Sequence, residues 1–181
     1  AMKTKILLKE LNDFLHGVFL IHELTEKTLD YILSFGERLS ATIISSVIEE
    51  AYFADARKFI LADENYGKAK VDFETTNLLI RQYFTQSKGI PVVPGFIANN
   101  HAGITTTLGR GGSDYTAAIL ASALLVEMLE IWTDVNGFMT ADPRKVKKAY
   151  SIERLSYAEA MELSHFGAKV IYTPTVQPAY K

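Results

Sequence analysis

Apolar residues recur every three or four positions through Leu7, Leu8, Leu11, Leu15, Val18 and Phe19, the period of an amphipathic helix. Thr25 is placed to cap a second helix, whose apolar positions Leu29, Ile32, Leu33, Leu39, Ile43, Ile44 and Val47 run for more than five turns. Ser34, Gly36 and Glu37 interrupt that face. A glycine inside a helix costs about 1 kcal/mol relative to alanine, so Gly36 predicts close approach by another backbone, a packed helix or a ligand.

Further on, a short strand is expected near Tyr52 and Phe53, then a loop at "ENYGKAK" and a helix from Phe73 to Phe84. Ile90 to Ile97 reads as a strand, irregular or at an edge because Pro91 and Pro94 cannot donate to a ladder. "NNHAG" is a turn into a strand at Ile104 to Leu108, and a helix is expected from Tyr115 to Met128. "LEIWTDV", Leu129 to Val135, has strand character with Trp132 in the core, and Asn136 with Gly137 forms a turn. Asp142 and Pro143 mark a loop, Ser156 to Glu159 has capping-box spacing before a helix through Leu163, and Gly167 ends it. Strands alternating with helices predict an α/β fold with a mainly parallel sheet.

The chain has 181 residues, a net charge of -2 and no long basic run, which argues against nucleic acid or an anionic membrane as partner. With no cysteine, and four scattered histidines, neither a disulfide frame nor a thiolate or histidine metal site is expected. No run approaches the roughly 20 apolar residues that a membrane-spanning helix needs.

"TTTLGRGGSDYTAA", Thr105 to Ala118, sets glycines between a strand and a helix. Amides of such a loop can turn inward as an anion nest, with Ser113 or Asp114 at the helix N-cap and Arg110 as a donor fork for carboxylate or phosphate. A tight turn before a capped helix explains the same residues. The stretch matches neither GxxxxGK[ST] nor GxGxxG, which disfavours a dinucleotide enzyme.

Together with "SFGERLSA", "EIWTDVNGFMTADPRKV" and "SYAEAMELSHFGAKVIYTPT", this stretch resembles aspartokinase, of the amino acid kinase superfamily, from about Leu11 onward. The resemblance implies a three-layer αβα sandwich and transfer of the γ-phosphoryl of ATP, with Mg²⁺, to the β-carboxylate of L-aspartate. It implies that Arg110 clamps a substrate carboxylate and Glu37 receives the ammonium, with Ser113 and the Thr105 to Thr107 strand end, Thr107 above all, lining the pocket. The resemblance also implies that Asp114 and Arg110 serve catalysis, Asp114 by organising the phosphoryl site. Thr133, Asp134, Phe138, Arg144 and Lys169 match nucleotide positions, with Gly111 and Gly112 in the phosphate loop; Phe138 stands where the family commonly has tyrosine. No residue is assigned to a metal.

The family's "KFGGTS" strand, whose lysine bridges both substrates, does not occur in this sequence. The resemblance therefore implies an N-terminally truncated catalytic domain over 1–181, mainly helical over 1–50 and α/β over 51–181, without the regulatory ACT domains. Low activity alone, a cytoplasmic setting and self-association into a homo-oligomer are the corresponding expectations. A binding chain without turnover, or a kinase with another acceptor, are the alternatives.

Overall fold

The computed structural model describes residues 2–133, 137–142 and 144–165. The chain forms two compact units, Ala1–Ser113 and Asp114–Lys181.

In the first unit, α1 (Met2–Ile21) and α2 (Glu26–Val47) follow the helical periods of the sequence. Thr25 caps α2 by accepting from the Thr28 amide at 3.1 Å. The face that α2 buries is not its apolar one. Asp30, Ser34, Phe35, Arg38, Ala41 and Thr42 are buried, whereas Leu29, Leu33, Ile43, Ile44 and Val47 are exposed. That face mixes apolar Phe35 and Ala41 with polar groups, of which Asp30 finds its donors in other elements, as described below. Helix α1 buries no residue and meets α2 through the Phe14 and Tyr31 rings, whose centroids are 4.6 Å apart.

Strand β1 (Ala51–Phe53) pairs in parallel with β2 (Ile90–Val92), with Tyr52 opposite Pro91. A parallel pair needs a crossover; it contains a 3-10 turn at Ala56–Lys58 and α3 (Phe73–Thr85), capped by Asp72. The expected strand from Ile90 to Ile97 is in fact two strands. Pro94 offers no donor, and Phe96 at φ 70° turns the chain before β3 (Ile97–Asn99). Strand β3 pairs antiparallel with β4 (Thr105–Thr107). Asn100 closes the connecting turn, its Oδ1 accepting from the Ala102 and Ile104 amides at 3.0 and 2.9 Å. Phe35, Phe59, Ile60, Ile80 and Ile97 form the centre of this unit's core.

Helix α4 (Gly112–Leu124) starts three residues before the expected Tyr115 and stops at Leu125, which has φ 54°. Thr116, Ala118, Ile119 and Ala123 are its buried positions in the second unit. The strand expected from Leu129 does not form over residues 129–133, and Trp132 is 91% exposed rather than in the core. No described strand pairs with this segment, and a strand gains its stability from pairing. Its Trp132 indole instead donates to Glu130 at 3.0 Å, two residues back along the chain. Further on, Met139 bridges to Ser151, and α5 (Tyr157–His165) begins with the expected capping box. There the Ser156 amide donates to Glu159 at 2.7 Å and the Glu159 amide to the Ser156 hydroxyl at 3.2 Å. Asn136, Pro143 and Gly167 lie outside the described residues. The α/β class is as expected, with one parallel and one antiparallel ladder among the described residues. No described helix is long and apolar enough to cross a membrane.

Candidate functional site

The three threonines of β4 are buried, and alternation along a strand sends Thr105 and Thr107 to one side and Thr106 to the other. Thr105 accepts from Arg57 Nη1 at 3.1 Å. Arg57 also holds Asp55 in a two-pronged pair, Nε to Oδ1 at 2.9 Å and Nη2 to Oδ2 at 2.6 Å. Burial pushes the Asp55 carboxyl up, but the hydrogen bonds and charge of Arg57 outweigh it and hold Asp55 below its ordinary value. Thr107 is committed to α2: its hydroxyl donates to Asp30 Oδ1 and its amide to Asp30 Oδ2, both at 2.8 Å.

After β4 the chain enters the glycine stretch. Gly111 has φ 69°, a conformation that side chains with a Cβ disfavour. At Gly112 a Cβ would lie 2.8 Å from Phe96 Cδ2 and 3.1 Å from Phe96 Cα, so the loop presses on the turn before β3. The Gly112 amide donates to the Gly109 carbonyl at 3.0 Å, closing a turn that starts α4 early. Ser113 and Asp114 therefore lie inside the first helical turn instead of at its N-cap. Acidic Asp114 suits that turn, where free amides favour negative charge. Arg110, at the tip of the loop, is exposed, and its side chain has no ion pair or hydrogen bond with the described residues.

Glu37 lies on α2, half-buried. Desolvation alone raises its carboxyl above the ordinary 4.5, with no described cation to compensate. Beside it, open space faces Gly36: a Cβ there would meet no described atom within 4 Å. Among the described residues, neither a packed helix nor another backbone accounts for this glycine. Buried Arg38 makes a 3.4 Å ion pair with Glu10 and lies over the Phe35 ring, 4.4 Å from its centroid, while its Nη1 has no described partner. The Tyr31 hydroxyl also donates to Glu10. Among the described residues, the first unit thus presents Glu37 without a cation and Arg110 without a side-chain partner.

In the second unit Thr133 is exposed and Phe138 half-buried, with the Phe138 carbonyl accepting from the Ile152 amide at 2.7 Å. Arg144 is exposed and folds back on Asp142, Nε to Oδ1 at 3.1 Å and Nη2 to Oδ2 at 3.1 Å. Hydrogen bonds from Arg144 hold Asp142 below its ordinary value. Asp134 and Lys169 lie outside the described residues. No three described His, Cys, Asp or Glu residues cluster as metal ligands.

A profile of the Amino acid kinase family matches residues 4–181. The chain belongs to the amino acid kinase family. Over 158 residues, 84% of the chain, it is 40% identical to the lysine-sensitive aspartokinase 3 of Escherichia coli and covers 35% of that protein. It is 37% identical over 182 residues to the bifunctional aspartokinase/homoserine dehydrogenase of Buchnera aphidicola, matching 96% of the chain and 22% of the relative. The chain therefore spans roughly a fifth to a third of the length of these relatives. Among solved structures, E. coli aspartokinase III in complex with aspartate and ADP superposes with a TM-score of 0.90 at 34% identity, covering 99% of this chain and 41% of that one.

Within the amino acid kinase fold, one residue of this region escaped the sequence reading. Asp30 sits among apolar helix positions, and a charge there is the signal that could have drawn attention to it, since a buried carboxylate needs donors. Its donors come from residues 37 and 77 positions away, beyond the reach of a local pattern.

Proposed function

We propose that this chain carries the aspartate- and nucleotide-binding part of an aspartokinase, transferring the γ-phosphoryl of ATP to the β-carboxylate of L-aspartate to give 4-phospho-L-aspartate and ADP. This would be the first step towards lysine, threonine and methionine. The observation that carries it is Glu37, a half-buried carboxylate whose pKa burial has raised, beside open space at Gly36. An ammonium there offsets the desolvation, while Arg110 offers a planar fork to a carboxylate. The aspartate and ADP bound by the E. coli structure support the same ligands here.

A carboxylate acceptor is ionised at neutral pH, so the reaction needs no general base. What it needs is alignment of two anions and stabilisation of the transferred charge. In this reading Glu37 and Arg110 orient aspartate, Ser113 and Thr107 shape the pocket, and Asp114 organises the phosphoryl site. The Gly111 and Gly112 loop gives phosphate access to backbone amides. Thr133, Asp134, Phe138, Arg144 and Lys169 serve the nucleotide, and Mg²⁺ enters as the companion of its phosphates. The exposed apolar residues of α1 and α2, among them Phe19, Ile21, Leu33 and Val47, support self-association, which sedimentation at micromolar concentration tests.

Glu37 must be ionised to receive the ammonium. L-Aspartate affinity is therefore expected to fall as pH drops through the raised Glu37 value, and Glu37→Gln to weaken binding and flatten the profile. In the free chain the raised value works the other way: folding loses stability as pH rises from the ordinary 4.5 through that value. Bound aspartate should relieve the loss, raising Tm more above the raised value than below the ordinary 4.5. Turnover is tested by trapping the acyl phosphate with hydroxylamine, for this chain alone and for the chain extended by a KFGGTS strand. Transfer in the extended protein supports the reading. Binding of both ligands without transfer in either would leave a binding chain.

A further inference from the structure

Asp30 is 1% exposed and sits one turn inside α2, where aspartate is a poor helix former. No described cation pairs with it. Its two oxygens take three donors: Oδ1 the Thr107 hydroxyl, and Oδ2 the amides of Thr107 and of Gly67, the last at 2.9 Å. One side chain thus joins α2, the loop at Gly67 and the end of β4.

Both outer segments lead to Arg110. Thr107 precedes it by three residues, at most about 10 Å of chain. The loop at Gly67 buttresses the same stretch from the side, because a Cβ on Gly109 would lie 2.9 Å from the Gly67 carbonyl oxygen. The Ala69 amide adds a 2.9 Å bond to the Thr107 carbonyl. In the other direction Glu37 follows Asp30 by seven residues, which on a helix is about 10 Å along the axis and nearly the same face. We infer that Asp30 is a positioning residue that sets the span between Glu37 and Arg110, and so the spacing of ammonium and carboxylate groups the site accepts. The ligand part of this inference rests on the aspartokinase reading; the span itself does not.

The chain has no cysteine, so Ser40→Cys and Arg110→Cys give a unique pair of spin-label sites for pulsed distance measurement. Asp30→Ala is expected to broaden the distance distribution. Asp30→Asn is expected to keep it narrow, because the amide carbonyl can take both backbone N–H groups while its NH₂ donates to the Thr107 hydroxyl oxygen. In the unlabelled chain, calorimetry should show Asp30→Ala raising the L-aspartate Kd about tenfold, with ADP affinity unchanged and Asp30→Asn largely restoring the loss. A wild-type distance distribution in Asp30→Ala overturns the inference, as does an equal loss of aspartate and ADP affinity, which marks general destabilisation. Should Asp30→Ala fail to fold, Thr107→Val decides: it removes one of the three bonds, and a wild-type distribution there overturns the inference equally. If the wild-type chain binds no L-aspartate but Asp30→Ala still broadens the span, the aspartokinase reading fails while the positioning role stands.

Discussion

Thr105–Thr107 and Leu129–Thr133 are both short segments rich in residues that favour extended backbone, and they end differently. The first is a buried strand, paired with β3 and holding polar partners through Thr105 and Thr107. The second forms no strand, and its largest side chain stands in the open. Extended propensity is weak by itself; neighbours that pair the backbone and occupy the side chains decide the outcome. In the first segment those neighbours are charged groups, Arg57 and Asp30, which fix two hydroxyls on one side of a three-residue strand.

The contrast can be broken most strongly at Arg57. Arg57→Met should cost about 2–3 kcal/mol in urea unfolding, because Asp55 keeps its burial but loses its charged donors. As Asp55 is held below its ordinary value, the stabilisation is present above the unfolded carboxyl pKa and is lost as pH falls through the folded one. The variant should therefore lose less stability on acidification than the wild type.

Gly112→Ala should cost about 1–3 kcal/mol through overpacking against Phe96, read as a lowered urea midpoint. Gly36→Ala should have the opposite sign, stabilising by about 1 kcal/mol, since its methyl group meets no described atom within 4 Å and alanine is the better helix former. The smallest effect belongs to the second segment. Trp132→Ala should change unfolding free energy by less than about 0.5 kcal/mol, as exposed positions do. A loss of several kcal/mol would mean that the indole is packed, and the contrast between the segments would fall.

The helices, their Thr25 cap and the Ser156–Glu159 capping box were legible because period and caps act within a few residues. So was the turn at Asn100. The glycine stretch was legible as a strand-to-helix turn, but the helix starts at Gly112 because the Gly109 carbonyl closes the turn, a detail of backbone geometry rather than of composition. Leu29, Leu33 and Ile43 on the apolar face of α2 are exposed, which the period alone did not reveal, since burial depends on what the helix meets. Of the candidate site, Glu37 and Arg110 were named from family motifs. Their lack of described partners, and the raised pKa of Glu37, emerged only with the fold.

By itself the sequence determined the kinds of elements, their order and the motifs that place the chain among the amino acid kinases, because these depend on local propensity and short spacings. Tertiary structure alone decided which face of α2 is buried, that Ile90–Ile97 divides, that residues 129–133 form no strand, and that Asp30 grips Thr107 and Gly67. Each of these turns on groups far apart in the chain satisfying one another's hydrogen bonds or excluding one another's volume, which no local pattern encodes.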